Sequence, residues 1–439
     1  MIKVFPLKYL ASPSPSFCMA PWVHTYLSPQ TERRMCCASR EPAQNFTQYI
    51  DTKSGTGKYN PQSLDDWWNG EHMRSVRRRM MNGETLPECD VCNNKLLNTD
   101  VYKDYFWNLF KDKFQNVAWM TGYDGSTALK PVSFDYRFSN LCNFKCRTCG
   151  DMLSSSWESE QKKHDQIDWS NPKNNWMKPD IREQISKYQD DQIEREFAKA
   201  VDESRVEEIY WVGGEPLMYE QHWRYMKQIV EQGDGAKVYA RYNTNLSRIK
   251  YKGANLCDIL SELRDWQICA SIDGTGKIGE YIRTGLNWAE WQENFRQVKQ
   301  ITQHSRQLRV DFTLTLLGMF EVENIVKFAQ ENGVGILAKV IFSFSPDIIM
   351  SPLALPRKLL DDWVDEIVPK TSGALRDVLT QLKTRPTFAE QWPEEYQQGL
   401  AKGKHRMLQL EEIRNDSITI DEILKARPDV YEWWQSIES

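Results

Sequence analysis

Cys142, Cys146 and Cys149 fall within eight positions of one another in Asn140-Leu-Cys-Asn-Phe-Lys-Cys-Arg-Thr-Cys-Gly150. Three thiolates on so short a loop can ligate three irons of a cubane iron–sulfur cluster and leave the fourth iron open. An iron with an open position can bind and break a small molecule instead of only passing electrons. Two plainer readings compete. Structural zinc prefers separated cysteine pairs with a fourth ligand at matching distance, and the next cysteine here, Cys257, lies more than a hundred residues on. Buried free thiols are common, but clustered spacings of this kind are not their habit. The spacing favours the cluster.

A second group, Cys18, Cys36, Cys37, Cys89 and Cys92, lies in the first hundred residues. Cys89-Asp-Val-Cys92 is a tight pair that Cys18 and Cys36 can complete to four ligands, for tetrahedral zinc or for a four-thiolate cluster. Eight of the ten cysteines precede residue 150. This is the pattern of metal sites in a reducing cytoplasm rather than of a disulfide framework. The chain of 439 residues has a net charge of −5 with both signs interspersed, so no basic field points to nucleic acid. No apolar run reaches membrane-spanning length, and the N-terminus does not read as a signal peptide. Most of the 17 tryptophans are expected to be packing anchors.

These groups need a scaffold. Val132–Phe138 alternates like a strand and delivers the chain to the cysteine loop. Val206–Val212 is a second strand running into Gly213-Gly214-Glu215-Pro216, where glycines let backbone approach a ligand and the carboxylate could hold an ammonium group. Val238–Asn243 leads to Asn243-Thr-Asn245, and Trp266–Asp273 carries Ser271 and Asp273 at its end. Leu308–Thr315 and Ile336–Ser343 make six strands. Helices over Tyr219–Gln232, Asn255–Asp265, Trp288–His304 and Val322–Asn332 alternate with them, as parallel α/β units do. Polar residues at successive strand ends converge on one face of a barrel.

Taken in order, the cysteine triplet after a strand, the Gly-Gly-Glu turn, the asparagines and Ser271 with Arg283 twelve residues later resemble the radical S-adenosylmethionine (SAM) superfamily. That resemblance implies an α/β fold, a partial (β/α)6 TIM-like barrel. It also implies a [4Fe-4S] cluster on Cys142, Cys146 and Cys149. Gly213, Gly214 and Glu215 would grip the amino group of SAM. Asn243, Asn245, Ser271, Asp273 and Arg283 would complete the cofactor site. One departure is Thr148, where the family often has an aromatic residue near adenine. Gly274-Thr-Gly-Lys-Ile-Gly279 imitates a dinucleotide fingerprint, but it follows the fourth strand, whereas that fingerprint belongs to a first βαβ unit. Ser54-Gly-Thr-Gly-Lys58 lacks the full phosphate-loop spacing.

The N-terminal text, Cys18-Met-Ala-Pro-Trp22, a hairpin-like stretch to Cys36-Cys37, Leu64–Gly70 and Leu86–Cys92, is similar to the auxiliary-cluster domains called SPASM and Twitch. This implies a second iron–sulfur cluster on Cys18, Cys36, Cys89 and Cys92, with Cys36 preferred to Cys37. The expected domains are 1–100, the cysteine-rich auxiliary module; 101–130, a linker with an aromatic helix; 131–350, the barrel, with a polar insertion over 151–205; and 351–439, a helical C-terminal extension. Arg74, Arg77, Arg78 and Arg79 read as a solvated helix face, or as a site for an anionic substrate or for docking an acidic electron donor. Cys269 shares a strand face with Ser271, and Cys257 is read as core.

The implied activity is reductive cleavage of SAM to a 5′-deoxyadenosyl radical that takes hydrogen from a peptide, protein or small polar substrate. Electrons would come from a flavodoxin- or ferredoxin-like donor, and neither membrane nor nucleic acid is expected as a partner. The rival readings are a non-catalytic iron–sulfur sensor and a zinc-stabilised scaffold that binds protein or RNA. Neither has a use for SAM contacts.

Overall fold

The computed structural model describes residues 14–39, 61–93, 102–341 and 348–438. Its main sheet has eight strands: β1 (His24–Leu27), β2 (Arg33–Arg34), β3 (Ser133–Tyr136), β4 (Glu208–Trp211) and β5 (Tyr239–Thr244), then β8 (Asp265–Ile272), β9 (Leu308–Leu314) and β10 (Gly335–Val340). A separate two-stranded ribbon joins β6 (Lys250–Tyr251) to β7 (Ala254–Asn255). The order in the main sheet is β10-β9-β8-β5-β4-β3-β1-β2. Strands β3, β4, β5, β8, β9 and β10 are therefore neighbours in chain order, as successive βα units place them. These six are the barrel strands expected from the sequence; of the last, residues 342 and 343 lie outside the described residues. No helix among the described residues is long and apolar enough to cross a membrane.

The difference lies at the other edge. The hairpin of the cysteine-rich N-terminal region does not stand apart: β1 pairs in parallel with β3, His24 opposite Ser133 through Leu27 opposite Tyr136, and β2 runs antiparallel to β1. A buried polar line crosses β1, β3 and β4. His24 Nδ1 and Ser133 Oγ are 2.6 Å apart, the Ser133 hydroxyl donates to Glu208 on β4, and the Tyr105 hydroxyl donates to the same carboxylate at 2.8 Å. Burial, then the nearby Arg241, pushes the His24 pKa down to about 3, so the ring is a neutral donor here. Each of these groups would be costly to bury alone, so the line ties β1 to the barrel strands.

The chain divides into two compact units. The first takes the described residues of Met1–Leu141, Glu158–Arg241 and Glu262–Trp266. One core within it gathers Phe17, Trp22, Trp67, Trp68 and Met73. Residues 101–130 were expected to act as linker, yet the aromatic helix Tyr102–Phe110 buries Phe106 and Phe110 in this same core. The polar insertion has a small core of its own, Trp176, Met177, Ile181 and Ile185. Its second helix is broken by a π-turn at Gln189–Ile193.

The second unit takes Cys142–Trp157, Tyr242–Ser261 and the described part of Gln267–Ser439. Strands β8, β9 and β10 pair in parallel there, and Ser271 stands opposite Asp311. Helices Arg357–Ile367, Gly373–Leu382 and Tyr396–Arg414 make up much of the C-terminal extension.

Candidate functional site

The cysteine loop of the second unit is drawn tight by its own backbone. Cys149 N–H donates to the Cys146 carbonyl at 3.0 Å, and Phe144 N–H approaches Cys142 Sγ at 3.4 Å. Cys142 and Cys146 are buried, and Cys149 is partly exposed. Burial pushes the Cys146 thiol up to about 12, against the pull of the Arg283 guanidinium, and raises Cys149 as well. A bare thiolate is thus disfavoured on this loop, whereas a metal centre that shares its charge would favour it.

Several other sequence-predicted residues meet this loop within the same unit. Asn245, just past β5, donates to Asn143 Oδ1 at 3.0 Å with its Nδ2 only 3.9 Å from Cys142 Sγ. Arg283 Nη1 is 4.0 Å from Cys146 Sγ, and its Nη2 pairs with Asp273 at 2.9 Å. Burial opposes the Arg283 charge, but Asp273 and Cys146 more than offset it and raise its pKa. Arg283 Nε is buried with no hydrogen-bond partner, an orphaned donor of the kind a bound anionic group satisfies. Thr148, at the position of the family's aromatic residue, donates to Asp273 Oδ2 at 3.3 Å.

Asn243 and Ser271 lie on β5 and β8, the strands that lead to Asn245 and Asp273. Asn243 donates to Asp311 Oδ2 at 2.9 Å, and Lys339 on β10 reaches the same carboxylate at 2.8 Å. Asp311 and Lys339 were not singled out from the sequence. A carboxylate at the centre of the otherwise apolar Val310–Phe312 run was the available signal. The glycine-rich turn is structural: a Cβ on Gly279 would fall 2.1 Å from the Gly274 carbonyl. The Glu321 carboxylate accepts from Thr275 N–H and hydroxyl at 2.8 and 2.5 Å, which fills the start of helix Gly276–Ile282.

Gly213, Gly214 and Glu215 belong to the first unit. Gly213 (φ 82°) and Gly214 (φ 53°) adopt backbone that other residues rarely reach. A Cβ on Gly214 would sit 2.5 Å from the Leu141 carbonyl. Glu215 N–H donates to that carbonyl at 2.7 Å. The turn therefore packs against the residue that precedes Cys142. The Glu215 carboxylate accepts from Leu217 N–H at 3.0 Å.

The N-terminal cysteines make the other candidate site. Cys18, Cys36, Cys89 and Cys92 line one cavity, with Met35 and Tyr102 among its walls. Burial raises the Cys18 and Cys36 thiols, and neighbouring cysteines add to the rise. Cys37 instead receives a hydrogen bond from the Tyr102 hydroxyl. Four thiols around a largely apolar space are a donor set for an iron–sulfur cluster or for zinc. Among the described residues, no three Cys, His, Asp or Glu side chains form a ready single-ion site.

The arginine run is not one face. Arg77 is fully buried; its Nε donates to the Pro21 carbonyl at 2.8 Å, and its guanidinium lies 4.6 Å from the Trp68 ring centroid. Burial alone lowers its pKa to about 9. Arg74 pairs with Asp124, and Arg79 pairs with Glu84 and Glu88. Arg77 thus fastens the stretch after Cys18. Arg77→Ala is expected to destabilise the protein by about 2–4 kcal/mol, since it strands the Pro21 carbonyl and opens a cavity beside Trp68. Thermal denaturation of the purified chain measures this.

Residues 136–329 match the radical SAM superfamily, and residues 18–93 match an iron–sulfur cluster-binding domain, SPASM. Two solved structures of Streptococcus suis SuiB are similar to the chain. The one bound to precursor peptide SuiA has 13% identity over 71% of this chain and 65% of that chain, with a TM-score of 0.35. The one bound to S-adenosylmethionine has 14% identity over 52% and 63%, with a TM-score of 0.30. The chain thus spans about 65% of the length of the SuiB chain in the peptide complex. No curated protein matches.

Proposed function

We propose, for a chain that belongs to the radical SAM superfamily and carries a SPASM iron–sulfur domain ahead of its barrel, that it is an enzyme which cleaves SAM to abstract hydrogen from a substrate. Cys142, Cys146 and Cys149 would hold a [4Fe-4S] cluster, and Cys18, Cys36, Cys89 and Cys92 an auxiliary one. Held by Cys142, Cys146 and Cys149, such a cluster would supply the one electron needed to break the SAM sulfonium bond, giving methionine and a 5′-deoxyadenosyl radical.

The chain's own groups bind and orient. Arg283 presents a buried cation with an unpartnered Nε beside Cys146, suited to the carboxylate of SAM. This is the observation that carries the reading. Glu215 offers a carboxylate for the ammonium group, on a turn packed against Leu141. Asn243, Asn245 and Ser271 offer polar atoms for the ribose, and Asp273 holds Arg283 in place. Burial of Cys142 and Cys146 limits the access of water to that centre.

The substrate is a peptide, protein or small polar metabolite, with the auxiliary cluster passing electrons. A flavodoxin- or ferredoxin-like protein would be the donor, in a reducing cytoplasm that suits ten free thiols. Anaerobic incubation of reduced, cluster-replete protein with SAM is expected to yield 5′-deoxyadenosine. Absence of that product from protein with both clusters intact would sink the reading.

A further inference from the structure

The loop that carries Cys142, Cys146 and Cys149 is gripped by a helix more than two hundred residues away in sequence. Arg414, the last residue of helix Tyr396–Arg414, donates to the Lys145 carbonyl at 2.9 Å and to Thr284 Oγ1 at 3.2 Å. Its guanidinium lies 4.4 Å from the Trp157 ring centroid, and Arg406 of the same helix lies 5.3 Å from that ring. Trp157 closes the circuit, for its indole N–H donates to the Cys146 carbonyl at 2.7 Å. Asn415 ends the helix with φ 50°. The next residue, Asp416, pairs with Arg147, whose side chain has 0% exposure and stacks 3.6 Å from the Tyr281 ring centroid. The Tyr281 hydroxyl donates to Glu411 of the same helix at 2.5 Å.

The backbone completes the clamp. Lys145 N–H donates to the Thr284 carbonyl and Arg147 N–H to the Ile282 carbonyl, both at 2.8 Å. The cysteine loop, the turn that carries Arg283 and the C-terminal helix are thereby one hydrogen-bonded assembly. Arg147, Arg406 and Arg414 bring three cations to it, beside the carboxylates of Glu411 and Asp416.

A cluster on three thiolates becomes more negative when it takes up an electron. Net charge and hydrogen bonding around the sulfurs set its potential, and a fixed nearby cation favours the reduced form. We propose that the C-terminal helix is part of the radical-generating centre: Arg414 is a positioning residue that holds the cysteine loop at Lys145 and raises the reduction potential of the cluster there. The inference rests on the ligand assignment made under Proposed function.

The test is an EPR-monitored redox titration of the full chain, reconstituted anaerobically, following the cluster signal that changes on SAM addition. Arg414→Gln is expected to move the midpoint to more negative potential. Arg414→Lys, which keeps the charge but not the bonding geometry, is expected to stay near wild type. An Arg414→Gln protein with intact cluster and unchanged midpoint overturns the inference. If that variant fails to hold iron, Arg406→Gln decides: a smaller negative shift supports the inference and an unchanged midpoint overturns it. Wild-type protein with no SAM-responsive cluster would overturn the ligand assignment itself, and the inference with it.

Discussion

Cys146→Ala is expected to abolish 5′-deoxyadenosine formation and to cut the iron and sulfide bound per chain by about half. Cys142→Ala and Cys149→Ala should do the same. Each thiol would hold a separate iron, which leaves the loop no spare ligand: the other cysteines of the second unit are Cys257 and Cys269, on a helix and on β8. Nor can Arg283 substitute, since a guanidinium has no lone pair to donate. The loss should reach the uncatalysed background, because SAM cleavage needs both the electron and the open iron. Serine replacements test the point more finely, as a hydroxyl is a poor iron ligand at neutral pH. If Cys146→Ala still forms 5′-deoxyadenosine at the wild-type rate, the loop is not the reaction centre.

The second large effect belongs to the N-terminal cavity. Cys89→Ala or Cys92→Ala should remove the auxiliary cluster, again halving bound iron, yet leave SAM cleavage by the loop cluster in place. Such a variant would form 5′-deoxyadenosine without modifying substrate. Cys37→Ala is the matched control. Its thiol receives a hydrogen bond from Tyr102, and its removal should leave the iron content unchanged. Elemental analysis and Mössbauer spectra of anaerobic protein measure both outcomes. Zinc in the cavity with iron confined to the loop would instead make the N-terminal region a structural metal domain.

Much of the barrel was legible before any coordinates. Its strands are short apolar runs ending in polar or glycine-rich turns, and its helices repeat apolar residues at helical spacing. Both patterns are local, so a window of ten residues carries them. The edge occupied by β1 was not legible. His24-Thr-Tyr-Leu27 reads equally well as half of a free hairpin, and only its partners, Ser133 and Glu208, show that it extends the sheet. The arginine run misled for a related reason. Four cations in six residues resemble a solvated face, but position 77 points inward between Pro21 and Trp68, and burial of one arginine has no signature in composition.

The loop and its candidate ligands show the same division. Sequence sets which thiols lie close enough along the chain to share a metal centre, because spacing on a short loop is a covalent property. It also determined the Gly-Gly-Glu turn, because only glycine takes the backbone found at positions 213 and 214 at low cost. Cys36 was preferred from the sequence, but only tertiary structure set it in the cavity wall and turned Cys37 to Tyr102. It alone set Asp311 against Asn243 and Lys339, and brought Arg414 and Asp416 onto a loop more than two hundred and fifty residues earlier. Contacts between segments so far apart depend on how whole elements pack, and no local pattern of residues encodes the partner that packing will supply.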